Sequence, residues 1–279
     1  MTRHGSSTTS TAALAESQPT ARLLSGVEIP LLGLGVWQMK AGAETEQAVE
    51  WALEAGYRHI DTASLYRNEE SVGAAVRRSG IPRDEIFVTT KLYPSHPSAH
   101  RELAASLKRL GLDYVDLYLI HWPVPGLYRR QWRDLGELRA KGLARAIGVS
   151  NFHGRQLEPL ADVPDVNQVH MSALHFPRDV VDYCREQGIV VEAYSPLEEG
   201  RGVSDPTVVA IADRVGRTPA QVLLRWALQH GAVVIPKSSR QDRIESNGRV
   251  FDFELGPEEM AVLDGLDRGQ RGGRLSLRP

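Results

Sequence analysis

The 279-residue sequence has little cysteine, no long apolar run and no excess of charge of either sign. Its single cysteine, Cys184, cannot form an internal disulfide, so we expect a reducing, cytoplasmic location and a structural thiol. No apolar stretch approaches the roughly 18 residues that a transmembrane helix requires. The net charge of −2 provides no basic field for nucleic acid or for an anionic membrane, and we expect neither as a partner.

The beginning of the chain is rich in Ser, Thr and Ala and has no apolar centre of the kind found in a secretory signal. We predict that residues 1–22 form a disordered lead-in and that one domain covers residues 23–279. No exposed apolar stripe stands out in the pattern, so we expect this domain to be a monomer.

Helical and strand-like segments alternate after the lead-in. Two apolar stretches around Ser25 and Gly26 predict a small hairpin, and GLGVW predicts the first barrel strand. Helical patterns then cover residues 43–56, 68–80, 98–111, 127–142, 178–188 and 218–231, with a short piece at 153–162. Strand patterns cover residues 57–63, 85–91, 114–122, 144–151, 165–170, 189–196 and 232–238. Eight alternating strands favour a single (β/α)8 TIM barrel with a C-terminal helix and tail, and a doubly wound sheet is the main alternative.

Titratable side chains stand where the predicted strands end. Asp61, Lys91 and His121 close strands two, three and four, and Tyr66 follows five residues after Asp61. Any one of them alone would be read as a helix cap, a solvated charge or a structural histidine. In a barrel, however, these strand ends share one rim. We therefore expect Asp61 to keep Lys91 charged, and Lys91 to lower the pKa of Tyr66 from about 10 toward neutrality, which would make Tyr66 a proton donor.

Nine short segments of the sequence match a known family in order. They are GLGVW, HIDTASLY, VTTKLY, DLYLIHWP, AIGVSNF, NQV, VEAYSPL, IPKSS and RVFDFEL. Together they span about residues 25–267, and the chain resembles the aldo-keto reductases. The tail GLDRGQRGG is most similar to the bacterial branch that contains 2,5-diketo-gluconate reductases. The resemblance implies NADPH-dependent reduction of aldehydes and ketones, with dicarbonyls, keto-sugars, keto-acids and aromatic aldehydes as substrate classes.

The resemblance also assigns roles to individual side chains. It implies that Tyr66 is the general acid, that Lys91, held by Asp61, tunes it, and that His121 orients the carbonyl. The implied NADPH-binding residues, from the nicotinamide end to the adenosine end, are Ser150, Asn151, Gln168, Tyr194, Ser195, Leu197, Lys237, Ser238, Arg243 and Asn247. Tyr194 would stack on the nicotinamide, and Lys237, Ser238 and Arg243 would surround the 2′-phosphate. The implied substrate pocket is lined by Trp37, Tyr93 and Trp122, and no metal ion is expected.

The sequence departs from the family pattern in three places. Ser246 replaces the acidic residue expected before Asn247, so we expect altered adenine contacts. Segment 170–173 (HMSA) replaces the usual Glu, aromatic residue and His-Pro, which puts the packing there in doubt. The loop after HWP and the tail are short, which implies an open pocket.

Two other functions compete with the reductase. A redox-sensing module would bind NADPH tightly and turn over slowly, but the tetrad and the tail resemble those of free enzymes. A barrel hydrolase would need metal ligands at several strand ends, and only Asp61 and His121 qualify. His96 and His100 are spaced like zinc ligands, but no glutamate accompanies them as it does in HExxH.

Overall fold

The computed structural model describes residues 18–268. Residues 1–17 of the predicted lead-in and residues 269–279 of the predicted tail lie outside the described residues. The strands are β1 Thr20–Arg22, β2 Glu28–Pro30, β3 Leu34–Gly35, β4 His59–Asp61, β5 Phe87–Leu92, β6 Val115–Ile120, β7 Ala144–Ser150, β8 Val166–His170, β9 Val190–Tyr194 and β10 Val233–Val234. The helices are α1 Ala43–Glu54, α2 Glu69–Arg78, α3 Ala99–Leu110, α4 Tyr128–Ala140, α5 Gly154–Leu157, α6 Arg178–Glu186, α7 Pro206–Val215, α8 Pro219–Gln229, α9 Gln241–Gly248 and α10 Pro257–Asp264.

Strands β3 to β10 form one parallel sheet in which each strand pairs with its neighbours in sequence. The first and last strands also meet. Leu32 bridges Val234, and the N–H groups of Gly33 and Gly35 donate to the carbonyls of Val234 (2.8 Å) and Pro236 (3.2 Å). The sheet therefore closes on itself, which confirms the (β/α)8 barrel and removes the doubly wound alternative.

The predicted N-terminal hairpin is confirmed. Strands β1 and β2 pair antiparallel, and Gly26 turns the chain between them with a φ of 83° that glycine adopts without strain. The predicted disordered lead-in over residues 1–22 extends too far along the chain, because β1 at Thr20–Arg22 already belongs to this hairpin. The segment lacks an apolar pattern, so its strand conformation depends on pairing with β2 and not on its own composition.

The hairpin closes the amino-terminal end of the barrel. Leu23 and Ile29 are buried in one cluster with residues that begin barrel strands, including Phe87, Val166 and Val233. The backbone N–H of Ser25 also donates to Asp165 Oδ1 at 2.7 Å. Because this end is covered, the opposite rim, where the strands end, is the one left for a ligand.

Helix α7 adds to the helices predicted from the sequence, although the sequence carries the signals for it. Asp205 caps its first turn by accepting from the N–H of Thr207 at 2.9 Å, and Pro206 stands at its first position. Gly216 ends it in the left-handed conformation. With α7, a helix precedes α8 between β9 and β10, so this connection is longer than the others.

Two classes of feature are absent from residues 18–268. None of the helices there combines the length and the apolar character needed to cross a bilayer. The same residues contain no group of three or more His, Cys, Asp or Glu side chains that could hold a metal ion.

Candidate active site

A cavity of about 900 Å³ lies at the carboxyl rim of the barrel. It is large for a small-molecule site, since such sites span roughly 300–1,000 Å³. Side chains from almost every strand end contribute to it, because parallel strands direct their last residues toward one rim. The lining includes Trp37, Asp61, Tyr66, His121, Trp122, Ser150, Asn151, Gln168, Tyr194, Lys237, Ser238, Arg243 and Asn247.

Lys91 is the centre of the titratable cluster and is fully buried. Its ammonium group donates to Asp61 Oδ1 at 2.6 Å, to the carbonyl of Thr62 at 2.9 Å and to the hydroxyl oxygen of Tyr66 at 3.2 Å. These three acceptors use all three N–H bonds of the ammonium. Burial lowers the pKa of Lys91, but Asp61 and Tyr66 outweigh it and raise that pKa to about 12. Lys91 is therefore a fixed cation.

The expected fall in the pKa of Tyr66 does not occur. Burial raises this pKa more than Lys91 lowers it, and the charge of Asp61 raises it further. A neighbouring cation lowers the pKa of a phenol, but here desolvation, which disfavours the phenolate, is the larger effect. Tyr66 therefore retains its proton at neutral pH, as a general acid must.

His121 completes the group that the sequence predicted. Its ring meets that of Tyr66 edge to face, with 5.7 Å between centroids. Burial, assisted by the charge of Lys91, holds the pKa of His121 well below its usual value. The imidazole is therefore neutral at physiological pH and carries one N–H.

Gln168 connects Asp61 to a buried carboxyl group that sequence reasoning missed. Its side-chain nitrogen donates to Asp61 Oδ2 at 2.8 Å and to Glu192 Oε2 at 2.6 Å. Burial, followed by the charge of Asp61, raises the pKa of Glu192 to about 8. Both N–H bonds of Gln168 are thus committed, so only its carbonyl oxygen can serve a bound amide, as an acceptor.

Ser150, Asn151 and Tyr194 form a hydrogen-bonded chain along the rim. The Tyr194 hydroxyl donates to Asn151 Oδ1 at 2.8 Å, Asn151 Nδ2 donates to Ser150 Oγ at 3.0 Å, and Ser150 Oγ donates to the carbonyl of Gln168 at 2.9 Å. Asn151 has a φ of 64°, which a short amide side chain tolerates better than most. The chain holds two hydroxyls and an amide in register beside Gln168.

The residues predicted for the adenosine end all line the cavity, and they come from one stretch of the chain that follows β10. Lys237 and Ser238 follow β10, while Arg243 and Asn247 lie on α9. Ser246 also lines this end, and it replaces an acidic side chain with a small neutral one. Two cationic side chains and a hydroxyl suit a phosphate group.

Of the three residues predicted for the substrate pocket, two line the cavity and one does not. Trp37 and Trp122 line the cavity near Tyr66, and the Trp37 and Tyr66 ring centroids are 6.5 Å apart. Tyr93 is 41% exposed and does not line the cavity. Leu65 and Gln38, which the sequence reasoning did not single out as pocket residues, line it instead.

A closed (β/α)8 barrel with an Asp–Tyr–Lys–His cluster at its rim is typical of the oxidoreductases that act on carbonyl compounds. The family model described as the aldo/keto reductase family matches residues 31–268. An aldo-keto reductase of Mycolicibacterium vanbaalenii is 52% identical over 262 residues, covering 91% of this chain and 94% of that protein. The glyoxal reductase of Bacillus subtilis is 45% identical over 261 residues, covering 91% and 95%.

Solved structures of aldo-keto reductases have the same fold as this chain. A crystal structure of an aldo/keto reductase from Brucella melitensis matches with a TM-score of 0.86 and 42% identity, covering 90% of this chain and all of that one. A Bombyx mori aldo-keto reductase in complex with NADP matches with a TM-score of 0.84 and 37% identity, covering 91% and 94%. The chain belongs to the aldo/keto reductase family. As a member it is an NADP(H)-dependent oxidoreductase, which confirms the predicted enzyme class and cofactor. The narrower resemblance to 2,5-diketo-gluconate reductases stays a prediction.

Proposed function

We propose that this enzyme reduces aldehydes and ketones to alcohols, with Tyr66 as the general acid. The observation that carries the proposal is the hydrogen bond from Lys91 to the Tyr66 hydroxyl oxygen. An ammonium group donates and cannot accept, so the proton of Tyr66 must point elsewhere. Within residues 18–268 that hydroxyl makes no other hydrogen bond, and Tyr66 lines the cavity. Its proton is available to a carbonyl oxygen bound there.

Each residue of the cluster then has a separate task. NADPH, when bound, supplies the hydride. Tyr66 gives its proton to the carbonyl oxygen, and Lys91 stabilises the tyrosinate that this leaves. Asp61 keeps Lys91 charged, while the neutral His121 orients the carbonyl by hydrogen bonding. In the reverse direction the Tyr66 anion is the base.

The chemistry of the cavity fits the assigned cofactor contacts. Lys237, Ser238 and Arg243 would hold the 2′-phosphate, and Asn247 would contact the adenine. Ser195 and Leu197 would follow the pyrophosphate, and Tyr194 would stack on the nicotinamide. Gln168 would accept from the carboxamide nitrogen through its one uncommitted oxygen, and Ser150 and Asn151, which form a hydrogen-bonded chain beside it, would contact the same carboxamide.

Small dicarbonyls are the first substrate class that we propose, with keto-sugars, keto-acids and aromatic aldehydes as further candidates. Support comes from the name of the Bacillus subtilis relative, a glyoxal reductase, and from aromatic walls at Trp37 and Trp122 that suit compact planar carbonyls. We further propose that the chain works in the cytoplasm as a monomer.

The test is Tyr66→Phe, followed as NADPH oxidation with methylglyoxal and a panel of aromatic aldehydes. Loss of one hydroxyl should lower kcat by about 10²-fold or more, while NADPH binding stays intact. Tyr93→Phe is the matched control, since it removes the same hydroxyl from an exposed ring that does not line the cavity, and it should leave kcat within about twofold. Turnover that survives Tyr66→Phe would refute the assignment.

A further inference from the structure

His170, at the end of β8, contacts two parts of the cavity wall at once. Its ring stacks on that of Tyr194, with 5.5 Å between centroids and 14° between planes. It also stacks on His175, with 4.4 Å between centroids and 17° between planes. One face of Tyr194 is thereby supported, and Tyr194 itself lines the cavity. The His170 ring therefore contacts the ring on which the nicotinamide is proposed to stack.

The second contact of His170 is with Glu198. Nε2 of His170 lies 2.8 Å from Glu198 Oε1, a close polar contact without the alignment of a regular hydrogen bond. The same oxygen accepts from Ser172 Oγ at 2.6 Å, and Oε2 pairs with Arg201 at 2.9 Å. Burial raises the pKa of Glu198, but His170, Ser172 and Arg201 outweigh it and lower the pKa to about 2. Glu198 is therefore a buried carboxylate with fixed partners.

Glu198 begins the segment that forms one side of the cavity. Glu199, Gly200, Val203 and Ser204 line that side, and together with Glu198 they belong to a stretch, residues 198–204, that we name the cofactor flap. Glu198 and Glu199 both have a φ of 54°, a conformation that non-glycine residues rarely adopt. Such backbone persists only where the surroundings fix it, and the contacts of Glu198 do so.

We propose that His170 is a positioning residue for NADPH, because it fixes the Tyr194 platform and, through Glu198, the cofactor flap. The inference rests on the proposed placement of NADPH in this cavity. It predicts that His170 governs how long the cofactor stays bound and leaves the proton transfer at Tyr66 unaffected.

His170→Phe separates the two contacts, since phenylalanine can still stack on Tyr194 but offers nothing to Glu198. We expect the Kd for NADPH and its dissociation rate to rise roughly tenfold, the scale of losing one polar contact to a buried carboxylate. Both are measured without carbonyl substrate, by nicotinamide fluorescence and by stopped-flow displacement. The KM for methylglyoxal at saturating NADPH should change by less than about twofold.

His100→Phe is the matched control, because His100 also pairs with a glutamate, Glu137, at 3.0 Å, but on the surface. It should leave NADPH binding unchanged. In the double variant His170→Phe with Glu198→Gln, the increase in Kd should be smaller than the product of the single effects, since both act through one contact. If the increase in Kd of the double variant equals the product of the two single effects, His170 and Glu198 act independently and the proposed link between them is overturned.

NADPH affinity and release within about twofold of wild type in folded His170→Phe would also overturn the proposal. The result is distinguishable from a failure of the proposed function. If His170→Phe releases NADPH faster while Tyr66→Phe still turns over, the positioning role stands and the general-acid role falls.

Discussion

The ion pair between Lys91 and Asp61 offers a quantitative test of the site. Lys91 is fully buried and Asp61 is 2% exposed, and their charged atoms lie 2.6 Å apart. Lys91→Met removes the cation but leaves the buried carboxylate with Gln168 as its main remaining partner. Breaking a buried pair in this way costs about 3–5 kcal/mol of unfolding free energy. Asp61→Asn strands the ammonium group and should cost a similar amount.

The double variant Lys91→Met with Asp61→Asn leaves no buried charge in the pair. Gln168 can still donate to the amide oxygen that replaces Asp61 Oδ2. The double variant should therefore be more stable than either single variant, with a coupling energy of about 2 kcal/mol or more. Urea unfolding followed by circular dichroism at pH 7 measures all four proteins, and the slope of each transition should be unchanged.

The stability of Lys91→Met should also depend on pH, in a direction that follows from the pKa of Asp61. Burial already raises the pKa of Asp61 above its ordinary value, and Lys91 opposes that rise. Without Lys91 the folded-state pKa rises further above the unfolded one, so the folded state binds a proton that the unfolded state has lost. The destabilisation of Lys91→Met should thus be smaller at pH 5 than at pH 8. Single variants that each cost less than about 1 kcal/mol, or a double variant equal to their sum, would refute the reasoning.

Further predictions concern the buried carboxyl and the helix glycines. Because the pKa of Glu192 is about 8 and its ionisation raises the pKa of Tyr66, kcat for reduction should fall through an inflection near pH 8. Glu192→Gln should abolish that inflection, and its persistence in the variant would exclude Glu192 as the source. In unfolding experiments, Gly136→Ala should stabilise by about 0.5–1 kcal/mol, since its Cβ meets open space within α4. Gly73→Ala in α2 should destabilise by about 1–3 kcal/mol, since its Cβ would overlap the carbonyl of Leu110 at the end of α3. Equal effects of Gly136→Ala and Gly73→Ala on the free energy of unfolding would contradict the close packing of α2 on α3.

The rim of the barrel could be predicted from sequence because its geometry follows from topology. Once eight strands alternate with helices, the last residues of all strands must converge. Asp61, Lys91 and His121 were found on that ground alone, and the structure brings them together around Tyr66. The closure of the barrel through the very short β3 and β10 depends on backbone pairing that no side-chain pattern records.

Quantities that depend on burial could not be predicted in the same way. Glu192 lies inside VEAYSPL and looks like a polar residue in a strand, but its carboxyl group is fully buried beside Asp61 and Gln168. The direction of the Tyr66 pKa shift was mispredicted for the same reason. A neighbouring charge can be read from a motif, whereas desolvation depends on the whole surrounding fold.

The departure at residues 170–173 shows how a local mismatch is compensated at a distance. From the sequence, His170 and Ser172 put the packing after β8 in doubt. In the folded chain both face Glu198, which lies 28 residues after His170 and after the following strand. The buried carboxylate of Glu198 then accepts from Ser172 Oγ and lies in close polar contact with the His170 ring. A glutamate at position 170 would instead place two carboxylates together. The substitution in β8 and the glutamate of the cofactor flap therefore make physical sense only as a pair, and motif matching treats each segment separately.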